Sequence, residues 1–208
     1  MPIILMAAKT NAILGIIRNM MTMKTLPSLM ITRALCAALA CSSFAANAGI
    51  EAFKSGTVIK DYGKVAEVNS SLVIPEGMIF KVAFDLGQAA KPGELNRSID
   101  TLARFINMHV AAGVKLENIS LAMVVHGQAA SDMTQERFYK MLNTGKSNAN
   151  ADLITQLVKQ GVRFYVCGQT AAYYGIKPDD LLPGVNMALS ALTAHAVLAH
   201  EGYSVNPF

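Results

Sequence analysis

Short apolar runs alternate with amphipathic stretches from Met78 to the C-terminus, and this alternation sets the expected architecture. Met78–Leu86 (MIFKVAFDL), Ile119–Val125 (ISLAMVV) and Val162–Val166 read as strands rich in β-branched and aromatic residues. Val185–Met187 and Tyr203–Val205 read as shorter strands. Between the first two runs, Ile99, Leu102, Ala103, Ile106 and Val110 recur at three- and four-residue spacing, which predicts a helix over Glu94–Ala112 stopped by Gly113. Further helices are expected over Thr134–Leu142, Ala151–Gln160 with Asn150 as its cap, Thr170–Tyr174 stopped by Gly175, and Ala188–His200. The polar Asn143–Asn150 segment reads as a loop, either solvated or able to cover one edge of the sheet. Strands that are apolar on both faces and alternate with helices imply a three-layer α/β fold, with a mostly parallel sheet flanked by helices.

Before Met78 the pattern weakens. Residues 49–77 are expected to form an N-terminal arm, packed on the domain or on a neighbour, with short strands at Val58–Ile59 and Glu67–Ile74 as the regular alternative. Residues 1–48 read as an N-terminal extension followed by a cleavable export signal. Lys24 and Arg33 precede an acid-free apolar run over Ala34–Ala46, and Ala46-Asn47-Ala48 sets small residues around a cleavage point. The run falls short of the roughly 20 residues that a spanning helix needs. A periplasmic or secreted protein is therefore expected, with no membrane association after the signal is removed.

Removal of the leader changes the charge. Four of the 18 basic residues (Lys9, Arg18, Lys24 and Arg33) leave with it and no acidic residue does, so 14 basic residues then face 14 acidic ones. The formal net charge of +4 thus belongs to the leader, and nucleic-acid binding is not expected. Removal also takes away Cys36 and Cys41 and leaves Cys167 alone, without a partner for an intramolecular disulfide.

Cys167 closes an apolar strand, and Gly168, Gln169 and a helix follow at once, at the junction where parallel α/β folds put ligands and reactive groups. A helix start there would aim N–H groups at the sulfur and favour the thiolate. Two readings stay open at this point: a thiol kept for chemistry, or a small buried hydrophobe at a strand end. His126, followed by Gly127, closes the second strand as Cys167 closes the third. It would tune the thiol or hold its own turn by hydrogen bonds. His109, His195 and His200 lie within helices and read as structural or solvated. No C-x-x-C motif, metal-ligand spacing, nucleotide-binding glycine motif or nucleophile elbow is found, and neither a metal nor a cofactor is expected.

Four segments together carry a family likeness: Val124-Val-His-Gly127, Asn148-Ala-Asn-Ala-Asp-Leu-Ile154, Gly161-Val-Arg-Phe-Tyr-Val-Cys-Gly-Gln169, and the helical stretch ending at Gly175-Ile176. From about Met78 onward the chain resembles the DsrE/DsrF-like sulfur-relay family, and within it the exported single-domain members. The resemblance implies a DsrE-like domain over 78–208 and a homo-oligomer, trimeric or hexameric. It implies that Cys167 accepts persulfide sulfur and passes it on, with donor and acceptor thiols or proteins as partners. The resemblance carries over the position of Cys167; with the strand-end reading, Cys167 and His126 are the expected catalytic residues, and Gly127, Gly168 and Gln169 the expected substrate-binding positions. The alternative is a non-catalytic oligomeric protein that binds a small ligand, with Cys167 in the pocket wall.

Overall fold

The computed structural model describes residues 49–206. The expected leader, with Cys36 and Cys41, lies outside them. Five strands form one parallel sheet in the order β4-β3-β2-β1-β5. They are β1 (Phe80–Leu86), β2 (Ile119–Val125), β3 (Arg163–Cys167), β4 (Val185–Ala188) and β5 (Ser204–Asn206). The helices are α1 (Arg97–Ala111), α2 (Glu136–Leu142), α3 (Ala151–Lys159), α4 (Gly168–Tyr174) and α5 (Ala191–His200).

Period-two alternation divides the sheet into two unlike faces. One face presents Val82, Phe84, Leu86, Leu121, Met123, Val125, Phe164 and Val166 to the main core, where α1 and α3 contribute Ile99, Leu102, Ile106, Leu153 and Leu157. Phe84 and Phe164 are fully buried there. Truncating either to alanine is expected to cost about 3–5 kcal/mol. The opposite face is built from smaller residues where α5 crosses it. Ala83, Ala122 and Val124 pack under Ala194 and Leu198 of α5. Their size lets α5 lie close as the chain returns from β4 to β5, on the far side of β1. The result is the expected α/β fold in three layers, and every strand pairing is parallel.

Several local boundaries differ from expectation. Gly127–Met133 is a 3-10 turn, and α2 starts only at Glu136, because Thr134 bridges to Leu181. Ala188 stays in β4, and Ser190 caps α5 by accepting from the Thr193 amide at 3.1 Å. Asn150 sits at the N-cap position of α3, yet its side chain does not cap. Its Oδ1 accepts from the Asn96 N–H at 2.7 Å instead.

The arm forms no strands at Val58–Ile59 or Glu67–Ile74. A single antiparallel bridge joins Lys54 to Val65. It packs on its own domain through Asn107 of α1, a fully buried side chain. Asn107 accepts from the Ile59 N–H and donates to the carbonyls of Ile59, Tyr62 and Gly63.

Candidate functional site at the carboxyl edge of the sheet

The carboxyl ends of β1, β2 and β3 bring Asp85, His126 and Cys167 to one edge. Val125 pairs with Val166, so His126 and Cys167 follow on adjacent strands, about 4.8 Å apart. Asp85 shares its parity with Ala83, and Cys167 with Tyr165, which places both on the α5 face.

Cys167 is 6% exposed, and it stands where two helices begin. Burial alone pushes its pKa up. The nearby backbone N–H groups of Thr170, Ala191 and Gln169, together with the Thr170 hydroxyl, favour the anion and outweigh burial, so the thiol lies below its ordinary value. α4 supplies two of these amides, and α5 supplies the third from its first residue. The Thr170 Oγ1 accepts from the Gly127 N–H at 3.2 Å, and its own proton is not needed for that bond.

Gly168 permits this closeness. A Cβ there would stand 2.6 Å from the Ala188 carbonyl oxygen and 3.0 Å from that of Leu189. Any other residue would push the start of α4 away from the end of β4. Gln169 contributes its amide to the sulfur, while its side chain donates to the Leu189 carbonyl at 3.2 Å. Of the expected binding positions, Gly127 and Gln169 therefore hold the thiol's surroundings together, and Gly168 provides the space.

His126 makes its ring hydrogen bond to Asp85, from Nε2 to Oδ2 at 3.0 Å. His195 reaches the other carboxylate oxygen from α5, Nε2 to Oδ1 at 2.7 Å. Asp85 thus bridges two imidazoles. Burial pushes its pKa up, but the hydrogen bonds and charges of both histidines pull it further down, below the usual carboxylate range. The His126 ring lies against Gly87, where a Cβ would come within 2.8 Å of its Cε1. His195 was expected to be structural or solvated, and the fold brings it into this cluster. His109 is held by the Phe105 carbonyl and stacked on the Phe105 ring, away from the site. His200 is exposed at the end of α5.

Sequence reasoning missed Asp85, Thr170, His195 and the Ala191 amide. Asp85 did leave a signal, as a lone acid near the end of an otherwise apolar strand. The Asn143–Asn150 segment does not serve the thiol. Asn148 anchors it on the main-core side by donating to the carbonyls of Asp132 and Thr134. Among the described residues, no group of three or more His, Cys, Asp or Glu is arranged to hold a metal ion. No helix among them is long and apolar enough to cross a membrane.

The fold and the site define a parallel α/β domain with one thiol set among helix-start amides at its carboxyl edge. The chain belongs to the DsrE/DsrF-like family, whose model matches residues 81–207. No curated protein matches it. Among solved structures it is similar to the protein of unknown function MTH1491 from Methanobacterium thermoautotrophicum, at 19% identity and a TM-score of 0.46, covering 62% of this chain and 99% of that one. It is also similar to the ychN protein from E. coli, at 17% identity and a TM-score of 0.47, covering 62% of this chain and 100% of that one.

Proposed function

We propose that this protein is an exported thiol sulfur carrier, which accepts a sulfane sulfur on Cys167 and passes it to an acceptor thiol. The observation that carries this reading is the place of the thiol, immediately before α4 and beside the first residue of α5, where a set of helix-start amides and the Thr170 hydroxyl favours its anion. Such a set stabilises an anion, whether a thiolate or the terminal sulfur of a persulfide. It serves both half-reactions, because Cys167 is the attacking thiolate in the first and the leaving thiolate in the second. His126 tunes the thiol from the neighbouring strand. Export is supported by the leader pattern, and a homo-oligomer by the exposed apolar side chains Tyr173, Leu189, Leu192 and Val197 around α4 and α5.

The near-complete burial of Cys167 favours one competing reading, a ligand-binding protein with this residue in the pocket wall. Intact mass of the protein after incubation with polysulfide separates the two. The carrier gains the mass of one or more sulfur atoms, reductant removes them, and Cys167→Ser gains none. A folded wild-type protein that takes up no sulfur, and whose thiol resists iodoacetamide until unfolding, is the wall-residue protein.

A further inference from the structure

Two histidines from different elements converge on one carboxylate beside the thiol, and their second ring nitrogens differ. Both bond Asp85 through Nε2. A carboxylate held below its usual pKa range only accepts, so each Nε2 carries a hydrogen. The Nδ1 of His195 is buried without a partner, so His195 has no second outlet for a proton. The half-exposed His126 has its Nδ1 beside Gly87, open to exchange through solvent, with Cys167 one strand away.

We propose that Asp85 and His126 form the proton-handling pair of the Cys167 thiol, with His195 as the positioning residue that holds Asp85 from α5. This rests on the sulfur-carrier reading for its substrate, a persulfide or polysulfide, but not for its test. In the forward step His126 Nδ1 takes the Cys167 proton through an intervening water, and the thiolate attacks the outer sulfur of a donor R–S–SH. A Cys167 S–S bond forms as the donor S–S bond breaks. The departing R–S⁻ takes the proton back from His126 and leaves as R–SH. Cys167 ends as Cys–S–SH, with atoms and electrons balanced and no outside oxidant. The arrangement follows the general logic of a nucleophile, a base and a third group that orients the base.

The titratable groups facing His126 are Asp85 from β1, His195 from α5 and Cys167 from β3. Lys81 and Arg163 share the sheet face but sit at its amino edge. Lys81 lies four residues before Asp85, or about 13 Å along the strand. Glu201 is at that same edge, paired with Arg163.

The sign of one substitution decides the matter. Asp85 lies two strands from Cys167 and two residues short of its register, about 12 Å away. If Asp85 acts only as a charge, Asp85→Asn removes repulsion, and the thiolate becomes easier to form. If Asp85 supports His126 as a base, the same substitution makes the thiolate harder to form.

The experiment is the pH dependence of Cys167 alkylation by iodoacetamide, a reaction that needs no sulfur transfer. Asp85→Asn and His126→Gln are each expected to slow alkylation at neutral pH by about tenfold, equivalent to one unit in the thiol pKa. Both should converge with the wild type where the thiol is fully ionised, and the double variant should be no slower than either single one. His195→Asn should show a smaller loss of the same sign, and Asp85→Glu should recover part of the rate. A folded Asp85→Asn protein that reacts as fast as the wild type, or faster, overturns the proposal. So does a loss that persists at high pH, which would mark a structural role. A wild type that shows this profile and takes up no sulfur would leave the proton pair standing and remove the carrier function.

Discussion

Asp85 and Asp132 stand near the same edge of one sheet, on opposite sides of it, and their pKa values are displaced in opposite directions. For both, burial is the largest influence and pushes the pKa up. Asp85 has a side chain that is 38% exposed, and two imidazoles reverse the push. Asp132 is 1% exposed and receives only amide hydrogen bonds, from Asn96 Nδ2 at 2.8 Å and the Ala90 N–H at 3.1 Å. These do not offset burial, and its pKa stays raised. Around Asp132 lies a closed network of asparagines. Asn96 caps α1 and bonds to Asp132 and Asn150, and Asn148 ties the following loop to the turn before α2. The lesson is that polarity at a sheet edge does not by itself mark a reactive site. On the α5 side, partly open titratable groups surround a thiol. On the main-core side, buried neutral amides lock three chain segments together.

The largest effect expected from this division is on stability alone. Asn96→Ala removes the cap that accepts from Ser98, and it takes one donor from a buried carboxyl and another from the Gln88 carbonyl. A loss of about 3 kcal/mol is expected from the cap and the unmade buried hydrogen bonds together. Denaturant unfolding measures it. Under folding conditions the alkylation rate of Cys167 should equal that of the wild type. A slowed thiol in folded Asn96→Ala would mean that the two sides of the sheet are coupled and the division is wrong.

The opposite signature is expected from Thr170→Val. Valine keeps the shape of threonine and removes one hydroxyl, the only side-chain donor among those named at the sulfur. It also leaves the Gly127 N–H without its acceptor. Alkylation of Cys167 at neutral pH should slow by about tenfold, the effect of losing one hydrogen bond to a charged group. Stability should fall by only about 1 kcal/mol. If stability falls further and the thiol rate is unchanged, Thr170 belongs with the structural amides.

The chain pattern made the fold legible because both signals were strong. Phe84, Leu121, Met123 and Phe164 lie in short runs rich in β-branched and aromatic residues, and the stripe from Ile99 to Ile106 has clean helical spacing. Cys167 and His126 were legible as strand ends. What surrounds them was not, for a physical reason. The Asp85 contacts come from a position on β1, 41 residues before His126 and 110 before His195. Pairing across such distances depends on register and on the path of α5, which hydrophobic period does not fix. The amide of Ala191 has no sequence signature at all. Asn150 shows the converse limit. A good N-cap residue stood at a helix start, and a stronger buried demand, the Asn96 N–H, took its side chain.

The smallest expected effect is a pH slope, and its sign separates the two carboxylates. The folded protein raises the pKa of Asp132 above its ordinary value, so folding favours the protonated form. The corresponding stability is fully present below the unfolded pKa, near pH 4, and is lost as pH rises through the raised folded value. Each unit of difference between the two is worth about 1.4 kcal/mol. Asp132→Asn keeps an acceptor oxygen for Asn96 and Ala90 and cannot ionise. The stability of the wild type minus that of Asp132→Asn should therefore fall between acid and neutral pH, as read by denaturant unfolding at about pH 4 and pH 7. For Asp85 the pKa is lowered, so its contribution is present above the unfolded pKa, near pH 4, and is lost as pH falls through the lowered folded value. The corresponding difference against Asp85→Asn should therefore rise with pH, in a window below about pH 4. Two slopes of the same sign would dissolve the contrast. A rising slope for Asp132 would in particular mean that Oδ1, buried and without a hydrogen-bond partner, faces a positive group in solution.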